Sequence, residues 1–324
     1  LIEYNLTGST DKVNFSFDLS GKTDTFSQNI SLETAGVFNF TMYANDTIGT
    51  PIVQNSTIIT VADNTVPEIN ASFNISNFIP TGGYVSSYNR ISEGEGNFTG
   101  ELDITDDFGY AVANLGDLDG DGITDFAVGA PQDDDHGSNT GAVWIMFMAY
   151  NGSVNNYSKI NEININESSH NNISLDESDE FGSSVANIGD LDGDGVIDIA
   201  VGASNTIGSI GDDDGGTDRG AVYILNLLTN GSIKNLSKIS DIEGNFTGEL
   251  ANTDRFGSSI AGLGDLDGDG VRDIAVGAPS DDDGTGGSGS VWILFLAANG
   301  SVNSHAKISE TEGNFTGSIG SSDE

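Results

Sequence analysis

The sequence FGYAVANLGDLDGDGITDFAVGAP, residues 108–131, decides the fold, because it returns twice more in the same chain. The second copy, FGSSVANIGDLDGDGVIDIAVGAS, begins at Phe181, and the third, FGSSIAGLGDLDGDGVRDIAVGAP, begins at Phe256. Repetition at this scale is typical of architectures in which similar units stack on one another. The chain therefore contains three related structural units.

Each copy is followed by the same succession of features, which predicts four short strands per unit. An acidic, glycine-rich loop leads to an apolar run, and an Asn-Gly turn then leads to a last run that ends in Lys-Ile. Asn-Gly tolerates the positive φ angles of a tight hairpin, and no window shows sustained helical periodicity. Four antiparallel strands per repeat predict the blade of a β-propeller, with the matched Trp144, Tyr223 and Trp292 packed between blades. The strands of the first unit are expected near residues 109–115, 125–130, 142–148 and 153–160.

Partial units are expected on either side of the three full ones. GGYVSSYNRI at 82–91 is similar to the outer hairpin at 151–160, so residues 71–91 are predicted to form an incomplete blade. Ser-Asp-Glu precedes Phe181 and also ends the chain at 322–324, so we expect a further Phe-Gly to follow. Three full units are few for a closed ring, and the expectation is a fragment or a chain whose open edges pair with a neighbour.

Residues 1–65 have a different pattern, in which apolar and polar residues alternate between Gly, Asn and Asp turns. This alternation predicts an antiparallel β-sandwich with one buried face. The segment resembles immunoglobulin-like surface modules and is short at its N-terminal end. Residues 66–70 are predicted to be a linker, and residues 71–324 to be the propeller segment.

The aspartates of each repeat are spaced for a metal ion. In the loop that starts at Asp117 they occupy positions 1, 3, 5 and 9, with glycines at positions 4 and 6. Four carboxylates this close repel one another unless a cation joins them, and hard oxygen ligands with a backbone carbonyl from position 7 suit Ca²⁺. The predicted ligands are Asp117, Asp119, Asp121, Ile123 and Asp125 in the first unit; Asp190, Asp192, Asp194, Val196 and Asp198 in the second; and Asp265, Asp267, Asp269, Val271 and Asp273 in the third.

Two alternatives to these calcium sites fit the residues less well. An EF-hand needs a glutamate at position 12 and flanking helices, whereas position 12 is a valine in every unit and the flanks read as strands. An acidic hairpin that binds nothing would not require the full ligand pattern three times. The further acidic runs at 133–135, 212–214 and 281–283 are expected to be solvated loops.

The composition of the chain argues against several classes of function. The net charge of −40, with 10 Lys and Arg against 50 acids, argues against nucleic acid as a partner, and the absence of cysteine excludes disulfides and thiolate sites. No apolar run is long enough to span a bilayer. The three histidines are isolated in polar segments, so no enzyme is expected. Frequent N-x-S/T sequons favour an extracellular or cell-surface glycoprotein, with candidate sites at Asn97, Asn151, Asn156, Asn230, Asn235, Asn245 and Asn299.

Phe-Gly, the D-x-D-x-D-G-x-x-D loop and Gly-Ala-Pro together resemble the FG-GAP repeats of integrin α chains and microbial surface proteins, although Ser204 replaces the proline in the second unit. The resemblance covers about residues 70–324. It implies an all-β fold with a seven-bladed propeller, calcium loops on one face and extracellular adhesion. No integrin partner-binding motif is visible, so those residues do not carry over.

Two functions fit these observations. The first is adhesion or recognition of an extracellular protein or glycan ligand. The second is a structural subunit of a filament, sheath or lattice, in which copies of the chain assemble through blade edges.

Overall fold

A computed structural model describes residues 88–167, 175–204, 217–282 and 287–317, and gives the backbone of six strands within residues 1–74. The chain divides into two compact units, Leu1–Tyr88 and Asn89–Glu324.

The first unit contains antiparallel strand pairs, in keeping with the alternating pattern of its sequence. The pairs are β1 with β2, β3 with β6, and β4 with β5. The strands are β1 (Ile2–Tyr4), β2 (Val13–Phe15), β3 (Thr25–Ser31), β4 (Gly36–Asn45), β5 (Pro51–Val61) and β6 (Glu68–Asn74). β6 overlaps the expected linker at 66–70 and pairs within this unit. The immunoglobulin-like topology and the exact domain bounds stay predictions.

The second unit contains three four-stranded antiparallel sheets, which confirms the predicted all-β fold. In each sheet the strands lie side by side in chain order, so each repeat is one blade. The first blade has β7 (Val112–Gly116), β8 (Asp125–Ala130), β9 (Ala142–Met148) and β10 (Val154–Ile160). The second has β11 (Phe181–Gly189), β12 (Asp198–Ala203), β13 (Ala221–Leu227) and β14 (Ile233–Ile239). The third has β15 (Ser259–Gly264), β16 (Asp273–Ala278), β17 (Ser290–Leu296) and β18 (Val302–Ile308).

The first strand of a blade depends on its neighbours. β11 begins at Phe181 and contacts both β7 and β15, whereas β7, with a neighbouring blade on one side, begins at Val112 rather than near 109. A short helix that the sequence did not predict, α1 (Glu162–Glu167), follows β10. Its six residues are too few to produce a helical periodicity in the sequence.

The expected partial blade at 71–91 lies largely outside the described residues. Its described end, residues 88–91, forms no strand. It runs beside the outer hairpin of the first blade, where the Asn89 side chain donates to the carbonyl of Asn151 at 2.6 Å.

Apolar side chains fill the spaces between blades. Phe181 and Tyr223 meet edge to face at 5.3 Å in the cluster between the first and second blades. Phe246 stacks on Phe256 and meets Trp292 in the cluster between the second and third. The predicted burial of Trp144, Tyr223 and Trp292 is confirmed, with exposures of 3, 0 and 3%.

Adjacent blades also meet backbone to backbone, which explains the glycines of the repeat. A Cβ placed on Gly129 would lie 2.0 Å from the carbonyl oxygen of Gly182, and one on Gly202 would lie 2.1 Å from that of Gly257. The Gly-Ala step of one blade therefore receives the Phe-Gly step of the next. The hydroxyl of Ser184 donates to the carbonyl of Gly257 at 2.7 Å across the same boundary.

Candidate metal centre

The aspartate-rich segments form three equivalent loops, each joining the first and second strands of a blade. We call them loop one (residues 117–125), loop two (190–198) and loop three (265–273). In loop one, Gly120 and Gly122 have φ angles of 83° and 89°, a conformation that favours glycine. These glycines let the chain curl so that its backbone N–H groups point at the first aspartate.

The first aspartate organises the loop. The N–H groups of Gly120 and Gly122 donate to the two carboxylate oxygens of Asp117 at 2.8 and 2.9 Å. Asp119 and Asp121 each accept from the N–H two residues further on, at 3.1 and 2.8 Å. The same bonds recur in loops two and three. The sequence therefore specifies one turn three times.

The turn gathers carboxylate oxygens to a distance suited to one cation. In each loop, three aspartates offer oxygens that all lie within 4.8 Å of one another. Such a hard, anionic oxygen set fits Ca²⁺. The gathered groups are Asp117, Asp119 and Asp125 in loop one; Asp190, Asp192 and Asp194 in loop two; and Asp265, Asp267 and Asp269 in loop three.

The aspartate at position 9 also accepts backbone hydrogen bonds, which the sequence did not reveal. Asp125 is 1% exposed, and its two oxygens accept the N–H groups of Leu118 and Met148 at 2.9 and 3.0 Å. It therefore ties the loop to the third strand of its blade. Asp198 and Asp273 make the corresponding bonds, to Leu191 and Leu227 and to Leu266 and Leu296.

Burial raises the pKa of Asp125 and of Asp198 above the ordinary value, against the opposing effect of these backbone donors. Such a carboxylate has spare lone pairs for a cation. Its role as a ligand, and that of the position-7 carbonyls of Ile123, Val196 and Val271, stay predictions.

Loop two differs from the others in holding a cation of its own. The ammonium of Lys234, on β14, lies 2.6 Å from Asp192 Oδ2 and 2.5 Å from Asp194 Oδ2. Among the residues that the structure describes, no Lys or Arg forms an ion pair with an aspartate of loops one or three.

At the opposite end of the blades the structure corrects one expectation. Asp133 and Asp281, expected in solvated loops, are each 1% exposed. Their carboxylates pair with Lys159 at 2.5 Å and Lys307 at 2.7 Å. These lysines lie 4.9 and 4.8 Å from the ring centroids of Trp144 and Trp292. The sequence contained one indication of these ion pairs, namely the lysine near the end of every unit in a chain that has few lysines and arginines.

In the third blade, a further buried carboxylate lies near the pair of Asp281 and Lys307. Asp254 accepts the N–H of Ala251 at 2.8 Å and is 2% exposed. Burial, and secondarily the charge of Asp281, raises the pKa of Asp254 to about 6.

The candidate sequons lie on the outer strands and turns. Asn97 and Asn245 donate from their side-chain amides to the carbonyls of Val154 and Val302, both at 2.7 Å. These bonds brace the two turns with the sequence EGNFTG, at residues 95–100 and 243–248. Asn151, Asn230 and Asn299 are exposed at the hairpin tips. Glycosylation at any of the candidates stays a prediction.

One histidine is placed differently from its expectation. His305 lies on β18 rather than in a loop, with its ring 5.1 Å from Phe246 and Nε2 3.1 Å from Thr247 Oγ1. His136 is exposed, and His170 lies outside the described residues. Within the part of the chain that the structure describes, no helix has the length and apolarity to cross a membrane.

Comparisons with known proteins agree with the architecture. Residues 108–146 and 256–294 match the family model described as FG-GAP repeat. The chain is 35% identical to integrin alpha-6 of Gallus gallus over 195 residues, which are 60% of this chain and 15% of the relative. It is 36% identical to integrin alpha-V of Gallus gallus over 203 residues (60% and 17%), and 32% identical to integrin alpha-5 of Xenopus laevis over 208 residues (62% and 18%).

The chain thus spans less than a fifth of the length of these relatives. The matched residues include loops one and three, with the Phe-Gly and Gly-Ala-Pro steps that join blades. The chain therefore carries FG-GAP repeats on β-propeller blades and is similar to integrin alpha chains.

Proposed function

We propose that this chain is an extracellular adhesion or ligand-recognition module whose blades are stabilised by calcium bound in the three aspartate loops. The observation that carries the proposal is the threefold recurrence of a loop that brings three carboxylates within 4.8 Å of one another. The similarity to integrin alpha chains supports the recognition role. We propose no catalytic role.

The loops support a structural use of calcium because each is continuous with two strands of its blade. Position 1 binds the turn through two backbone N–H groups, and position 9 binds the third strand. A cation shared by these carboxylates would therefore connect the loop to three strands. At millimolar calcium, a site with a dissociation constant of about 10 μM adds roughly 2.7 kcal/mol to the free energy of unfolding.

The recognition surface is proposed at the end of the blades away from the calcium loops. In a four-stranded meander, the first and third connections lie at one end and the second lies at the other. The second connections include residues 131–141 and 279–289, and their inner ends are fixed by the pairs of Asp133 with Lys159 and Asp281 with Lys307. A base held by these ion pairs, with Asp134, Asp135 and Asp282 exposed beside it, suits binding of an extracellular protein or glycan.

Thermal unfolding of the full chain in 2 mM CaCl₂ and in excess EGTA tests the calcium role. We expect a rise in Tm of several degrees with calcium and a smaller rise with the same concentration of MgCl₂. Replacing Asp119 and Asp267 by asparagine should remove most of the calcium-dependent rise. Asp134→Asn, a loss of one exposed charge outside the loops, is the control and should leave the rise intact. Equal Tm values with calcium and with EGTA would contradict the proposal.

The second candidate function is assembly through blade edges. Val143 and Val222 are 0% exposed beneath the following blade, whereas the equivalent Val291 on the third blade is 41% exposed, on a face that either a further blade or a second copy of the chain would cover. Light-scattering mass in calcium and in EGTA separates the two functions. Large regular assemblies that need calcium favour the structural subunit, whereas a monomer that binds an arrayed glycan or protein favours recognition.

A further inference from the structure

We propose that Lys234 acts as a tethered counterion of loop two, so that the second blade keeps its loop ordered without calcium and binds calcium more weakly than the other two blades. The inference rests on the proposed calcium role of the loops, and it adds that the three sites are not equivalent.

The position of Lys234 singles out one blade. β14 is the outer strand of the second blade, and the residues equivalent to Lys234 in the first and third blades are Asn155 and Asn303. Asn303 donates its side-chain amide to the carbonyl of Leu296 at 3.2 Å. The otherwise repeated sequence therefore places a cation at this position in the second blade alone.

The ammonium group lies among the oxygens that a metal ion would use. Asp192 and Asp194 belong to the group that the loop gathers for a cation, and Lys234 Nζ lies 2.6 and 2.5 Å from their Oδ2 atoms. Charge-assisted bonds of this length engage carboxylates that calcium would also use. Calcium can enter fully only after Lys234 has left.

A second positive charge borders the same loop. Arg272, from loop three, lies against Gly189, the residue that precedes Asp190; a Cβ on that glycine would be 2.3 Å from Arg272 Nε. The equivalent residues of the first two units are Thr124 and Ile197, which carry no charge. Arg272 also lies near Gly264, the residue before loop three, where a Cβ would be 4.0 Å from its guanidinium. Lys234 is therefore the positive charge that distinguishes loop two from both other loops, and it lowers the attraction of loop two for a divalent cation.

We expect the three loops to differ in how they are ordered. Loops one and three would depend on calcium for order, whereas loop two would be ordered by a covalently attached cation that cannot diffuse away. A protein built in this way keeps its central blade formed at low calcium while the two flanking loops respond to the calcium concentration.

Calorimetric titration of CaCl₂ into the chelator-stripped full chain tests the inference. The wild type should bind two ions with similar affinity and a third at least about tenfold more weakly. Lys234→Asn, which installs the residue of the other blades, should strengthen the third site so that all three agree within about threefold. Asn155→Lys should weaken one of the two strong sites. In each variant, binding at the unaltered loops reports that the chain is folded.

Hydrogen exchange locates the effect. In EGTA, amides of residues 117–125 and 265–273 should lose protection while those of 190–198 keep it, and Lys234→Asn should make 190–198 lose protection as well. Three equal wild-type sites that Lys234→Asn leaves unchanged would overturn the inference and leave the calcium role standing. Absence of calcium binding in both proteins would overturn both.

Discussion

Replacing Gly202 by alanine tests whether neighbouring blades are joined through their backbones. The φ angle of Gly202 lies outside the left-handed region, so alanine suits its local conformation. The added Cβ, however, would lie 2.1 Å from the carbonyl oxygen of Gly257 and 2.4 Å from Ser184 Oγ. Relief requires the Phe-Gly step of the third blade to move away by about 1 Å.

The cost follows from three contributions. Forcing a methyl into a close-packed boundary costs about 1–3 kcal/mol. Loss of the 2.7 Å hydrogen bond from Ser184 to Gly257 costs about 1 kcal/mol. The smaller conformational freedom of alanine in the unfolded chain returns about 0.5–1 kcal/mol. We expect Gly202→Ala to lower the free energy of unfolding by about 2–3 kcal/mol.

Gly277 is the matched control, because it occupies the same position in the third blade. A Cβ there would meet the hydroxyl of Ser259 at 2.3 Å, a side-chain atom that can rotate away, and its other neighbours are at 3.6 Å or beyond. Gly277→Ala should change stability by less than about 1 kcal/mol. Urea unfolding in 2 mM CaCl₂, followed by far-ultraviolet circular dichroism, measures both variants. Equal losses in the two would refute the reasoning.

Two further predictions concern buried carboxylates. Because burial raises the folded-state pKa of Asp254 to about 6, its charged form opposes folding. The contribution of Asp254 to the free energy of unfolding should therefore rise as pH falls from about 7 to 4, and it is lost as pH rises through 6. Asp254→Asn keeps the acceptor for Ala251 and should be more stable than wild type at pH 8, by up to about 3 kcal/mol, with the advantage vanishing near pH 4 in urea titrations at each pH. Asp198→Ala leaves the N–H groups of Leu191 and Leu227 without their acceptor and should cost about 3 kcal/mol even in excess EGTA; a cost seen only with calcium would make Asp198 a ligand and nothing more.

Much of the fold could be predicted because the same pattern of strands and turns occurs in all three repeats. Alternating apolar residues, Asn-Gly turns and the spacing of Phe-Gly from Gly-Ala fixed the strand order of each blade. The sequence did not reveal context: β11, which contacts both β7 and β15, begins at Phe181 itself, whereas β7 begins at Val112, further into its repeat. The helix α1 could not be predicted either, because its six residues make fewer than about two helical turns and show no repeating pattern.

The candidate site was predictable in its residues but only partly in their roles. Carboxylates at alternate positions with glycines between them indicated a cation, and each loop brings three of its four predicted carboxylates together. Asp121, Asp198 and Asp273 lie outside these groups, and the ligand set stays a prediction. That Asp125 also binds the N–H of Met148 depends on which strand lies beside the loop. The contact of Lys234 with Asp192 depends likewise on two strands separated in the chain. Comparing equivalent positions across the three units would have shown that Lys234 breaks the repeat.

The few positive charges of the chain bear on why the loops are proposed to bind an external cation. The chain has 10 Lys and Arg against 50 acids, and three of the lysines are held over aromatic rings, with Lys159 and Lys307 paired to buried aspartates far from the calcium end. Removing either lysine would leave a buried carboxylate without its partner charge, so these two lysines are not available to neutralise the aspartate loops. Lys234 serves loop two, and the described parts of loops one and three have no lysine or arginine in ion-pairing contact. For those two loops, the repulsion among the gathered carboxylates would be relieved most effectively by an ion from solution, so the proposed calcium dependence would follow from where the chain places its own cations.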